Sequence, residues 1–301
     1  MKIAIAGGSG FIGTHLIKDW HKKKYDVLLI SRSCSKVKEQ FPFAGCVTWD
    51  EMKSNPQTLE GIDVLINLAG ESINSGRWTA ERKQRILLSR VETTQQIAEV
   101  IGKLKTKPHL VINGSAIGIY GQSDTVHFDE DSQAIADDFL AQVSRQWEAE
   151  ADRIPSARLV KMRTGLALGV NGGAFPKMAL PYRLFTGGKV GNGRQWHSWI
   201  HITDYVRLIN FCIKNEAMEG PVNATAPNPV TNDEFGRVLA RQLYRPHWLR
   251  VPKFAMVLAL GEMAELLLEG QHVVPKRALD HGFEFHYPSI DRAVQDLISR
   301  M

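Results

Sequence analysis

Through the first half of this chain, short continuous apolar runs alternate with longer segments whose apolar positions recur every three to four residues. Lys2–Ala6 has the character of a strand buried on both faces, and Phe11–Lys24 places Ile12, Leu16, Ile17 and Trp20 on one helical face. Strands follow at Val27–Ile30, Cys46–Trp49 and Val64–Leu68, then a long helix at Ala80–Ile101. Pro108 precedes a strand at Leu110–Asn113, a helix spans Phe139–Ala151, and Arg158–Met162 is a sixth strand. Strands separated by helices predict an α/β fold with a parallel sheet covered on both faces. Right-handed crossovers make a doubly wound sheet the economical arrangement.

After Gly165 the rhythm changes. Gly169–Gly173 and Gly187–Gly193 are glycine-rich, and Pro176, Pro181, Pro221, Pro227 and Pro229 punctuate the stretch. Helices are expected at Asn232–Leu243, Lys253–Leu268 and Ser289–Ser299. The pattern predicts a first domain over residues 1–168, completed by 200–225. A smaller mixed α/β substrate lobe then comes from 169–199 and 226–301 and covers the open end of the sheet.

Composition narrows the function classes. A chain of 301 residues buries about 75% of its unfolded surface, so its core needs neither disulfides nor a structural metal. The net charge of +5 is spread along the sequence, which fits solvated charge better than a nucleic-acid surface. The three cysteines, Cys34, Cys46 and Cys212, are odd in number and lack CxxC spacing. That usage fits a reducing compartment and argues against a disulfide framework. The apolar start is too short for a signal peptide, and Glu262 and Glu265 interrupt the stretch Phe254–Leu268. The expectation is a soluble cytoplasmic protein that binds a small molecule, with neither nucleic acid nor membrane as partner.

The strongest local signal is Gly7-Gly8-Ser9-Gly10-Phe11-Ile12-Gly13, which follows the first strand and opens the first helix. Glycines allow the tight turn and let the backbone approach a pyrophosphate, while the helix N-terminus offers free N–H groups and positive partial charge. The second strand ends in Ser31-Arg32-Ser33, where an NAD-specific fold usually carries an acid for the ribose 2′-hydroxyl. A hydroxyl beside a guanidinium suits a 2′-phosphate instead, which favours NADP over NAD.

Taken together these residues resemble the extended short-chain dehydrogenase/reductase superfamily of Rossmann proteins. The resemblance rests on Gly7-x-x-Gly10-x-x-Gly13, Asn67-Leu68-Ala69-Gly70, Ser115 after the fifth strand and Arg163-Thr164-Gly165 after the sixth. More narrowly, the chain is similar to the atypical NAD(P)-binding epimerase family group, which has its own C-terminal domain. The signatures here are Arg77-Trp78, Ser89-Arg90-Val91-Glu92-Thr93-Thr94, Trp199-Ile200-His201-x-x-Asp204 and Leu266-Leu267-Leu268-Glu269-Gly270-Gln271. The resemblance implies a dinucleotide along the turn, with Ser31 and Arg32 on the adenosine phosphate and Leu68, Ala69 and Gly70 on the adenine and ribose side. It adds Arg90 as a cofactor contact, a residue that the helical pattern alone would leave as an exposed charge. It also implies that a homodimer is possible.

The superfamily's Tyr-x-x-x-Lys pair sets both side chains on one helical face, where the cation lowers the phenol pKa for proton transfer. No tyrosine here has a lysine four residues later, and Phe139 and Val143 stand where the pair would be. Ser115, able to bond a substrate carbonyl or alcohol, and Tyr120 remain as catalytic candidates. His197-x-x-x-His201 has a metal-like spacing but lacks a third ligand, so no metal is expected. His197 and Trp199 are expected instead as walls of a substrate cleft. Two functions fit: an NADP(H)-dependent oxidoreductase or epimerase-like enzyme on a small carbonyl or alcohol, sugar-nucleotide-like ones included, and a non-catalytic NADPH sensor that acts through a protein partner.

Overall fold

The computed structural model describes residues 1–135 and 137–301. Its centre is a seven-stranded sheet built from β1 (Lys2–Ala6), β2 (Asp26–Ser31), β3 (Gly45–Thr48), β4 (Val64–Asn67), β5 (Leu110–Ala116), β6 (Leu159–Thr164) and β7 (Gly220–Ala224). The strands run parallel in the order β7-β6-β5-β4-β1-β2-β3. Strand order therefore reverses beside β1, and the carboxyl ends of β1 and β4 flank the crevice that such a reversal opens.

The alternation inside β1 assigns its two faces. Ile3 and Ile5 pack with Leu16 and Trp20 of α1 (Phe11–Lys22) and with Tyr205 and Ile209 further along the chain. Ala4 and Ala6 face the opposite layer, where Ile97 and Ile101 of the long helix Ala80–Gly102 meet Leu65 of β4. Each such side chain contributes about 1.5–3 kcal/mol on burial, which is why strands covered twice can be read from unbroken apolar runs. We label the helices used below α2 (Cys34–Gln40), α3 (Ala80–Gly102), α4 (Phe139–Ala151) and α5 (Ile202–Lys214). Trp20 Nε1 donates to Asn210 Oδ1 at 3.1 Å, which ties α5 to α1.

Several boundaries differ from the sequence pattern. Trp49 opens a short helix instead of ending β3, because Thr48 and Glu51 form a capping box around its first turn. The helix expected over Lys253–Leu268 stops at Leu260, since Gly261 turns to φ +62° before a new turn begins. Cys34 and Cys46 are joined by a disulfide with 5.6 Å between their Cα atoms. Sequence spacing gave no sign of this bridge: it arises because β3 lies beside β2, with Cys46 opposite Leu29, and α2 begins three residues past the end of that strand pair's sheet ladder. Cys212 is buried and unbridged.

The second lobe has its own core of Phe175, Tyr182, Trp199, Phe235, Ile290 and Leu297. It is joined to the sheet side by the strand Leu166–Gly169, which follows β6 directly and pairs in parallel with Trp199–His201. Among the described residues no helix is long and apolar enough to cross a membrane.

Candidate functional site

The turn after β1 is shaped by contacts that only glycine permits. Gly7 sits at φ +78°, and a Cβ there would lie 2.6 Å from the Leu68 carbonyl carbon. A Cβ on Gly13 would lie 2.5 Å from the Gly7 oxygen, so α1 is packed against the turn itself. Gly10 differs: its Cβ would meet only the Gly7 oxygen, at 3.2 Å, and the remaining space stays open. As N-cap of α1, Gly10 offers no side-chain acceptor, and the first turn carries no acid. The first amides of α1 are thus left to an anion.

Beside this turn, Ala6 pairs with Ile30, so Ser31 ends β2 and Arg32 leaves the sheet next to the glycines. The Ser33 N–H donates to Ser31 Oγ at 3.3 Å, which fixes the bend. Arg32 is exposed, and among the described residues no hydrogen bond or ion pair holds it. At the end of β4 the Ala69 N–H donates to Asn67 Oδ1, while Asn67 Nδ2 bridges to Thr94 and Asn113. Gly70 lets Arg90 pass: a Cβ there would be 3.2 Å from the guanidinium carbon. Arg90 donates to the Ile86 carbonyl and lies 5.2 Å from the Trp147 ring centre, and burial lowers its pKa to about 10. Arg90 is therefore a partly enclosed wall residue, not an exposed helix charge.

From here a cavity of about 380 Å³ runs toward the second lobe. Ile12, Leu68 and Arg90 line the side nearest the glycine turn, and Ser115, Val143 and His197 line its far side. Ser115, next to last in β5, is buried, and its hydroxyl donates to Glu148 Oε1 of α4 at 2.7 Å. Arg163 of β6 grips the same carboxylate through Nε at 2.8 Å and through a second nitrogen at 2.9 Å, with Lys161 Nζ 3.6 Å away. Burial works against the Arg163 charge, but its bonds to Glu148 outweigh that and raise its pKa overall. Where a Tyr-x-x-x-Lys pair would stand, Phe139 and Val143 pack with Trp78, Ile86 and Leu266 in an apolar cluster.

His197 belongs to the extended pair Trp196–His197 with Val230–Thr231, so its four-residue spacing from His201 is not helical. Its Nδ1 is buried without a partner among the described residues, and burial pushes the imidazole down to about 4. His201 instead caps α5, its ring nitrogen accepting from the Thr203 N–H.

Two expected site residues fall elsewhere. Tyr120 does not line the cavity: its ring is 1% exposed, and its hydroxyl donates to Asn223 Oδ1 and accepts from Arg163. Burial, the largest effect on it, pushes the phenol up to about 12. Trp199 is fully enclosed in the second core and donates to the Asn228 carbonyl, while Trp196, three residues earlier, supplies an indole to the cavity wall. Residue 199 lies in the next short strand, whose pairing with Leu166 sets it in the second core.

Glu148 and Lys161 were missed by motif reading. A signal existed, since Ser144, Trp147, Glu148 and Ala151 share the buried face of α4, and a carboxylate at such spacing needs a partner.

The sequence profile of the NAD dependent epimerase/dehydratase family matches residues 3–140, and a domain of unknown function, DUF1731, matches residues 251–297. Over 302 aligned positions the chain is 43% identical to an epimerase family protein of Bacillus subtilis, YfhF, covering 99% of this chain and 98% of that one. It is 37% identical to the Arabidopsis thaliana protein named epimerase family protein SDR39U1 homolog, chloroplastic, covering 99% of this chain and 87% of the other. Among solved structures, the human epimerase family protein SDR39U1 (isoform 2) with NADPH superposes with a TM-score of 0.92 at 34% identity, each chain covered fully.

Proposed function

The chain belongs to the epimerase family of NAD(P)-binding Rossmann proteins, and from that premise we propose that it binds NADP(H) and interconverts a small alcohol and its carbonyl counterpart. One observation carries this reading: a single cavity joins Ile12, Leu68 and Arg90 beside the glycine turn to Ser115 and His197 beneath the second lobe. The residues present fit a dinucleotide, because the turn is packed where Gly7 and Gly13 meet backbone and open where Gly10 faces outward. The phosphate donors at Ser31 and Arg32, with no acid beside them, support the 2′-phosphorylated form, as does the NADPH in the human relative's structure.

When bound, the dinucleotide supplies or accepts hydride at nicotinamide C4. The chain's own part is orientation and hydrogen bonding. The α1 amides would hold the pyrophosphate, Arg32 the 2′-phosphate, and Leu68 and Arg90 the ribose side. Ser115 and His197 meet the substrate's oxygen-bearing end, and His197 does so as a neutral imidazole near pH 7. The apolar cluster of Phe139 and Val143 favours a second reading, an NADPH sensor, in which the cavity takes ligand without turnover.

Titration of NADPH, NADP, NADH and NAD into wild type and Arg32→Ala tests the proposal. NADPH binding should exceed NADH binding, and the variant should lose roughly tenfold to a hundredfold for NADPH alone. Failure to bind any of the four overturns it. Dinucleotide-linked turnover of carbonyl or alcohol panels separates the enzyme from the sensor.

A further inference from the structure

The Ser115 hydroxyl has one proton, and its direction is set from behind the cavity wall. Glu148 is 5% exposed and does not line the cavity, yet it takes that proton at 2.7 Å. Its oxygens face two cations, Arg163 on both and Lys161 at 3.6 Å, so the carboxylate accepts and has nothing to donate back. Neither partner can move away cheaply. Arg163 is anchored by a further bond to the Tyr120 hydroxyl, and Tyr120 in turn by Asn223. Ser115 Oγ therefore keeps only lone pairs for the cavity.

We propose that Glu148 is a positioning residue that fixes Ser115 as a hydrogen-bond acceptor, so that the cavity selects a hydroxyl-bearing ligand over the carbonyl compound of the same shape. A hydroxyl donates into the Ser115 lone pairs. A ketone oxygen at that point meets another acceptor and receives no hydrogen bond from Ser115. The inference rests on the cavity of the proposed function and names the substrate form that it holds best. It goes further than a serine able to bond either form, because the proton is committed elsewhere.

A matched pair of probes reads this directly. The apolar lining, Val143 and Trp147 among it, accommodates a phenyl group, so 1-phenylethanol and acetophenone differ only at the group under test. Ligand-observed NMR titrations on the full chain, with and without NADP, give their relative affinities. Wild type should prefer the alcohol by about tenfold, the value of one neutral hydrogen bond made against one denied. Ser115→Ala should bind both alike, and Ser115→Thr, which keeps the hydroxyl, should restore the preference. Glu148→Met with Arg163→Met removes the buried pair together and frees the Ser115 proton, so the ketone should gain until the two probes bind within about twofold. Equal affinities in wild type, a preference that survives Ser115→Ala, or no binding of either probe overturns the proposal. An alcohol preference in a chain that ignores NADPH would sink the cofactor reading and leave this one standing.

Discussion

At the glycine turn the chain presents main-chain amides; at the far end of the same cavity it presents one hydroxyl, Ser115, backed by Glu148, Arg163, Tyr120 and Asn223. The first end needs absence of side chains, since Gly7 and Gly13 would each drive a Cβ into backbone. The second needs a closed set of side chains, every one bonded to the next. Backbone geometry is common to all residues, so the first end can serve many chemistries unchanged. The network end depends on particular donors and acceptors, and there the usual acid–base pair gives way to Phe139 and Val143 without loss of packing. A backbone architecture open to many chemistries at one end thus coexists with individual chemistry at the other.

The sharpest way to break that contrast is to cut the network. Arg163→Met leaves Glu148 buried beside only the more distant Lys161, and removes the donor to Tyr120. Urea unfolding should show a loss of about 3–5 kcal/mol, most of it regained when Glu148→Met is added. A loss below about 1 kcal/mol would mean that the far end is not held by this ion pair. Next in size comes Gly13→Ala. Its Cβ would sit 2.5 Å from the Gly7 oxygen and 2.6 Å from the Gly8 Cα, and neither belongs to a flexible side chain. We expect a stability loss of about 1–3 kcal/mol with NADPH binding abolished. The alcohol preference at Ser115 should persist, and its loss alongside NADPH binding would show that the two ends are not independent.

What could be read in the sequence divides along the same line. The parallel, doubly wound sheet and the glycine turn follow from period and position, because β1 and β4 are buried on both faces and leave continuous apolar runs. Ser115 was recognisable as the end of β5, but its partner lies 33 residues on, in a helix, and no spacing rule links them. Tyr120 looked reactive because a phenol can move a proton. The structure turns it into the core, where its hydroxyl is spent on Arg163 and Asn223. Trp196 and Trp199 are alike as residues but sit in two short strands with different partners, Thr231 for one and Leu166 for the other, and only that pairing decides which meets the cavity. Short strands of two or three residues carry too little pattern to fix a register in advance.

The smallest effect expected concerns the imidazole on the far wall. His197 Nδ1 is buried without a partner among the described residues, and the imidazole is held down to about 4, whereas in the unfolded chain it titrates at 6.5. Between those values the unfolded chain binds more protons, so stability is complete above about pH 6.5 and drains as pH falls toward 4. From pH 7 to 5.5 this one group should cost about 1 kcal/mol. His201, also pushed down to about 4 by burial, adds a loss of the same sign, so the wild-type slope alone does not identify His197. The difference from His197→Phe does, since phenylalanine keeps an aromatic ring against Phe235 and removes the proton. The variant's urea midpoint should fall less than wild type's across that interval. Identical slopes would mean that His197 reaches solvent and charges freely, and the far end of the cavity would then be wetter and more cationic in mild acid than its neutral imidazole implies.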